Sequence, residues 1–329
     1  MDDQALNPGE LIQRAAENGF ALAGVCGVER SRWGSELIAW LNESKHGEMG
    51  WLNEHTDLRI NPSDLIEHAQ SVLMVADLYA SRSDNTDTPL DEGQGRIARY
   101  ARGQDYHKIM KKRLFELADE LRGRHPDAGF KVFVDTAPVL ERELALRAGM
   151  GWIGKHTLMI HPREGSYFLL GGIMTTLKLD DSQLQTIEPD HCGTCTRCID
   201  ACPTQAITPY SVDARKCISY LTIEHRSEID PELAAKVGDW IYGCDICQEV
   251  CPHNSLREDA AQINHSYASD RDRFDLLEVL GWSEDDRREA FKGSAMKRAK
   301  LDMMKRNARI VARNQGIRIP DLENTDSES

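Results

Sequence analysis

The chain alternates between stretches with an apolar residue every three to four positions and short runs that are apolar throughout. "NPGELIQRAAENGFALAGVCGV" shows both: a helical period that closes near Gly19, then a compact apolar run that predicts a strand. Cys26, alone in that run, reads as a small buried core residue. "SVLMVADLYA", "FKVFVD" (ending at Asp135), "TLMIHP" and "SYFLLGGIMTTL" predict further strands. A helix is expected from about Asp105, where Ile109, Leu114, Leu117 and Leu121 form an apolar stripe, and another over "PVLERELALRAG". Ser81 to Gly95 is polar and bears Gly and Pro, so it reads as a loop. Helices mixed with strands, without an internal repeat, give an α+β domain over residues 1–185. A cysteine-rich segment follows over 186–256, then a basic helical segment over 257–318, then a polar acidic tail over 319–329 that is expected to be disordered.

Composition narrows the class. The 329 residues are 40% hydrophobic and 29% charged, as in an ordinary soluble protein of two or three domains. No apolar run approaches the ~20 residues of a membrane helix. "MDDQALNPGE" has neither the basic nor the apolar region of an export signal, so a cytoplasmic protein is expected. A net charge of −14 argues against indiscriminate binding of nucleic acid. The average hides a block: from Arg287 to Arg318 eleven Lys or Arg stand against Glu289 and Asp302. Lys297, Arg298, Lys300, Lys305, Arg306, Arg309 and Arg313 are its candidates for a polyanionic partner; a solvated helix face is the alternative.

Eight of the nine cysteines fall between Cys192 and Cys251, in a compartment where thiols stay reduced. Cys192-x2-Cys195-x2-Cys198-x3-Cys202-Pro203 is the run of a bacterial two-cluster ferredoxin. Cys217 and Cys244-x2-Cys247-x3-Cys251-Pro252 complete a second set. If the crossed arrangement of such ferredoxins holds, one 4Fe–4S cluster takes Cys192, Cys195, Cys198 and Cys251, and the other Cys202, Cys217, Cys244 and Cys247. Structural zinc, which uses two separated C-x2-C knuckles, fits this spacing poorly. Two fully ligated clusters carry electrons but perform no substrate chemistry. The long N-terminal segment therefore points to an enzyme with a second centre, and a ferredoxin-type carrier is the alternative.

"RAGMGWIGKHTLMI" tests one candidate for that centre. Gly149, Gly154 and Lys155 fit a phosphate-binding G-x-x-x-x-G-K, but His156 stands where a hydroxyl must reach magnesium, and the stretch follows a helix instead of a strand. The loop is either a backbone that a large ligand approaches or a tight turn packed in a core.

Longer stretches carry a resemblance. "RYARGQDYHKIMKKRL", "VDTAPVLERELALRAGMGWIGKHTLMI", "CGTCTRCIDACPTQAI", "CISYLTIEHR" and "YGCDICQEVCPHN" resemble the epoxyqueuosine reductases, cobalamin-dependent enzymes of tRNA queuosine synthesis. "GSAMKRAKLDMMKRNARIVARNQG" resembles the start of their HEAT-like helical segment, so the likeness runs from about Leu11 to Gly316. The resemblance implies a monomeric oxidoreductase that reduces epoxyqueuosine to queuosine at the wobble position of tRNAs with a GUN anticodon (those for Asp, Asn, His and Tyr). Electrons from a donor such as ferredoxin or flavodoxin would pass through both clusters to cobalamin. It makes Asp135 a proton donor, kept protonated by burial; read alone, this residue would be a helix N-cap. Asp105, Tyr106 and His107 match the active-site triplet, and Arg142 is expected one turn into the helix after Asp135. Gly154, Lys155, His156 and Thr157 match a corrinoid-lining segment, with Asp135, Arg142, Arg59 and Arg99 as further contacts. A corrinoid-dependent reductive dehalogenase is the nearest alternative, disfavoured by the basic C-terminus and the missing export signal.

Overall fold

The computed structural model of the chain describes residues 7–80, 89–180, 184–254, 263–267, 269 and 271–319. Its N-terminal part carries helices α1 (Pro8–Glu17), α2 (Gly34–Asn42), α3 (Thr56–Ile60), α4 (Tyr106–Arg124) and α5 (Glu141–Arg147). The strands interleaved with them are β1 (Leu22–Gly27), β2 (Ser71–Leu78), β3 (Gln94–Ile97), β4 (Phe130–Phe133), β5 (Trp152–Ile153), β6 (Met159–Ile160) and β7 (Phe168–Thr175). The cysteine segment adds α6 (Arg197–Asp200), α7 (Ile218–Ile223), α8 (Pro231–Lys236) and α9 (Ile246–Glu249), with β8 (Ile207–Thr208), β9 (Ser211–Val212) and β10 (Trp240–Tyr242). Strand β11 (Arg273–Asp275) and helices α10 (Leu276–Gly281), α11 (Glu284–Ala290) and α12 (Leu301–Asn314) end the fold.

An antiparallel sheet in the order β1-β2-β7-β4 forms the centre of the first domain. β2 is buried at every position because helices cover both faces. Leu73 and Val75 pack with Leu11, Ala15, Met110 and Leu114 of α1 and α4. Val72, Met74 and Ala76 pack with Phe133, Leu144 and Ala145 on the α5 side. Cys26 lies in that second layer, its thiol pKa pushed up to about 12 by burial, as expected of a core residue. The helix ends follow local chemistry: Asn7 accepts the Gly9 N–H at 2.8 Å before Pro8 opens α1, and Asp105 accepts the His107 N–H at 3.2 Å at the start of α4.

The expected loop from Ser81 lies outside the described residues as far as residue 88, and its end, Gln94 and Gly95, is strand β3. β3 pairs with β10 and with β11, so one three-stranded sheet draws on all three segments read from the sequence. A shared core follows, in which Ile97, Ile218, Trp240, Leu276, Phe291 and Met304 pack together. The segments are therefore not separately packed units. Of the acidic tail, residues 320–329 lie outside the described residues.

Arg306 corrects the reading of the basic block. It is 7% exposed, donates to the carbonyls of Leu221, His225 and Ser227, and bolts α12 onto the loop after α7. Neighbouring Asn307 ties the same helix to Thr222 and Ile241. Lys297, Lys300, Arg309 and Arg313 stay exposed and Lys305 half-exposed, without ion pairs among the described residues.

Candidate active site and cluster loops

Asp135 follows β4 in the left-handed region, at φ 54, an uncommon backbone state for any residue with a side chain. It is not a helix cap: α5 begins at Glu141 with Leu140 as N-cap, which also puts Arg142 in the first turn, not the second. His107 stands between two carboxylates, its Nδ1 2.9 Å from Asp105 and its Nε2 2.9 Å from Asp135. Tyr106 stacks on the His107 ring at 4.0 Å between centroids. Burial lowers the His107 pKa, but hydrogen bonds and charge from both carboxylates outweigh it and raise the value.

The same contacts overturn the expected state of Asp135. Burial pushes its carboxyl up, yet the hydrogen bond and charge of His107, with Arg298 and Tyr106 adding to them, hold it below the usual carboxylate range. The proton belongs to the His107–Asp135 couple, not to an isolated acid. The Asp135 side chain is 54% exposed, so the relay faces an open part of the surface, the candidate cleft.

The first turn of α5 holds two strained residues in place. Glu141 accepts the Asp135 backbone N–H at 2.6 Å. Arg142 donates to the carbonyl and hydroxyl of Thr157, which sits at φ 69. Arg142 is exposed, its pKa is lowered by the protein crowding it, and it has no carboxylate partner among the described residues' ion pairs. Such a guanidinium at a cleft wall suits amide or phosphate oxygens.

Glu141 was missed in the sequence, where it looks like an ordinary first-turn acid. Burial first, then the Asp135 charge, pushes its pKa up to about 8 from 4.5. A raised carboxyl favours the neutral fold: its contribution to stability is complete below pH 4.5 and is lost as pH rises through 8. Ionisation also sets a second negative charge beside Asp135. Activity is therefore expected to fall through pH 8, and Glu141→Gln, which still accepts the Asp135 N–H, to leave only the shallower loss set by His107. An unchanged alkaline limb in pH–rate profiles of the variant would remove Glu141 from this role.

The other residues expected at the corrinoid are engaged by the protein itself. Lys155 clamps the first cysteine loop through Gly193 O (2.6 Å) and Cys195 O (3.0 Å). Arg99 is buried against Asp245 (3.3 Å) and Glu249 (2.5 Å) of the second loop. Arg59 is buried with its guanidinium over Trp51. His156 is buried, neutral with a pKa near 4 from burial and from Arg142 and His253, and faces the cysteines. The glycines are not an open surface either. A Cβ on Gly151 would meet Ile160 O at 2.0 Å, on Gly149 Gln185 Cβ at 2.7 Å, and on Gly154 Ile160 Cδ1 at 2.5 Å. They are small because the protein itself packs there, so of that segment only Thr157 joins Asp135 and Arg142 at the cleft.

Cys192, Cys195, Cys198 and Cys251 line one cavity, although Cys251 follows the second loop. Burial first, and then neighbouring thiols, raise the pKa of Cys217 (Cys202), Cys244 (Cys247 and Cys217) and Cys247 (Cys217, Cys198 and Cys202). Burial and mutual repulsion keep these thiols protonated unless a cation compensates, so the donor set fits a metal centre. No three metal-binding side chains among the described residues converge as a single ion demands, whereas a cube takes one thiolate per iron.

A second unforeseen group lies at the cleft rim. Trp51 is 42% exposed, with the guanidinium groups of Arg59 at 5.8 Å and Arg298 at 5.5 Å from its ring centre. Arg298 also pairs with Glu224 and acts on Asp135, which places this aromatic beside the relay.

Paired cluster loops next to an acid relay define an iron–sulfur oxidoreductase. A family profile for a 4Fe-4S double cluster binding domain matches residues 191–254, and one for epoxyqueuosine reductase QueG, DUF1730, matches 59–136. The chain is 41% identical over 299 residues to the epoxyqueuosine reductase of Xanthomonas campestris, covering 90% of this chain and 83% of that protein. It is 38% identical to that of Leadbetterella byssophila, covering 92% and 97%. Its fold superposes with TM-score 0.83 on the crystal structure of epoxyqueuosine reductase from Streptococcus thermophilus (29% identity, 94% and 81% covered). The same score is found for an epoxyqueuosine reductase crystallised with a tRNA-Tyr stem loop modified with epoxyqueuosine (28% identity, 93% and 81% covered). The chain belongs to the epoxyqueuosine reductase family.

Proposed function

We propose that this protein reduces epoxyqueuosine to queuosine in the anticodon loop of tRNA, at the wobble position of tRNAs with a GUN anticodon. The observation that carries the reading is His107 suspended between Asp105 and Asp135, in a chain that also carries a double-cluster domain. Deoxygenation of an epoxide to an alkene consumes two electrons and two protons and releases water. Cobalamin, the family's cofactor, supplies when bound a low-potential cobalt that receives electrons from the clusters. Arg142 and Thr157 are the side chains placed to hold its polar arms. Asp135 delivers the proton to the departing oxygen, His107 reprotonates it, and Asp105 fixes the ring's orientation. Left-handed backbone at Asp135, tied down by one bond to Glu141, makes its loop a candidate to move; a Bacillus subtilis relative has been crystallised with its catalytic aspartate loop swung out of the active site.

Ferredoxin or flavodoxin fits the one-electron clusters as donor. A monomer in the cytoplasm, where charged tRNA and reduced thiols coexist, completes the reading; no helix among the described residues is long and apolar enough to cross a membrane. The test is nucleoside mass spectrometry on epoxyqueuosine-bearing tRNA treated with the anaerobically reconstituted protein and a reductant. Queuosine is the expected product, and none after full reconstitution would end the proposal.

The RNA is gripped by the exposed part of the basic block, with Trp51 stacking on a loop base. Neutralising Lys297, Lys300, Arg309 or Arg313 is expected to lower the salt dependence of binding by about one unit of slope each. Trp51→Ala is expected to weaken binding of the anticodon stem loop on the order of tenfold, and Trp51→Tyr much less, because stacking needs only a π face. Equal affinity of the wild type and Trp51→Ala in fluorescence titrations would refute the stacking role.

A further inference from the structure

Two buried donors beside the first cysteine loop have no partner among the described residues: Nε2 of His156, 3% exposed, and Nε1 of Trp152, 1% exposed. Buried N–H groups are almost always satisfied, because burial removes water without replacing it. His156 Nδ1 accepts the Leu158 backbone N–H at 3.1 Å, so the ring proton is on Nε2 and that atom is a donor in need of an acceptor. His156 shares a cavity with Cys192, Cys195, Cys198 and Cys251. Trp152 packs on Cys192 and Cys251, which sets the indole against the sulfur atoms of that cavity. The carbonyls of Gly193 and Cys195 already accept from Lys155. The cavity's sulfur atoms are the acceptors that a bound cluster would bring to both donors.

We infer that His156 Nε2–H and Trp152 Nε1–H donate hydrogen bonds to sulfur atoms of the cluster held by Cys192, Cys195, Cys198 and Cys251, and raise its reduction potential. Reduction adds negative charge to the cube, and an N–H aimed at its sulfur stabilises that charge more than the oxidised form. Lys155 ties this cluster's loop to the chain segment that carries His156 and Thr157. The inference rests on the double-cluster assignment and is independent of which RNA is the substrate.

The experiment is an anaerobic redox titration of the reconstituted full-length protein followed by electron paramagnetic resonance. Trp152→Phe removes one donor and keeps the ring. His156→Asn keeps an acceptor for Leu158 N–H but loses the distal donor, and His156→Gln restores a donor near the Nε2 position. Each loss is expected to shift the reduction equilibrium of one cluster three- to tenfold, about 30–60 mV downward for a one-electron couple, with the second cluster unmoved and Gln recovering much of the shift. Unshifted titrations in both Trp152→Phe and His156→Asn would overturn the inference. Should a variant fail to hold iron, the wild type labelled with 15N at His and Trp decides: nitrogen hyperfine coupling to a reduced cluster supports the bonds, and its absence refutes them. Zinc in place of iron in the wild type would instead sink the cluster assignment itself.

Discussion

Asp135→Asn is expected to retain cobalamin and both clusters while losing turnover by about 10²- to 10⁴-fold, the usual contribution of a positioned general acid. The substitution isolates the proton. Asn matches Asp in shape and is among the residues that best tolerate the left-handed backbone found at φ 54, so the loop and its tie to Glu141 persist. The amide still meets His107 Nε2, but it carries no transferable proton, and His107 no longer has a carboxylate through which to deliver its own. Asp135→Ala would confuse strain with chemistry, since alanine strongly disfavours that φ. Absorbance titration with cobalamin and single-turnover conversion of tRNA separate the two effects. Full activity with Asn at this position would withdraw the proton-donor role and leave Asp135 as a structural turn.

Cys251→Ser is expected to abolish turnover and remove about half of the iron, leaving one cluster signal intact. The informative part is which one. In the crossed arrangement Cys251 shares its cavity with Cys192, Cys195 and Cys198, so Cys195→Ser should erase the same signal. Cys247→Ser should erase the other, in common with Cys217→Ser, because Cys217 acts on Cys247 and both act on Cys244. Serine keeps the volume but not the soft thiolate, and a cube with one weak corner is labile to oxygen. If Cys251→Ser and Cys244→Ser were to erase the same signal, the pairing would be wrong even though both clusters existed.

Much of the frame was legible in the residues. β2 announced itself because a strand covered on both faces needs apolar side chains at every position. The two C-x2-C loops were readable because the ligands of a cube come from one tight turn, which makes spacing sufficient. The start of α4 near Asp105 was legible too, and Asp105 caps that helix while also orienting His107. The glycine loop stayed between two readings, because glycine is demanded equally by a ligand that approaches and by a backbone that packs. Gly151 against Ile160 O is the second kind.

The sequence by itself determined the central sheet's strands, the starts of α1 and α4, the cluster loops and the family, all of them set by neighbours a few positions apart. Only the tertiary structure decided which charged side chains meet. Asp135 and His107 lie 28 residues apart, Arg99 and Asp245 lie 146 apart, and Arg306 reaches Leu221 across 85. An arginine on a helix face reads the same whether it will grip a phosphate, as Arg309 is free to, or bolt two segments together, as Arg306 does. The choice depends on what the distant chain brings against it, and periodicity carries no information about that.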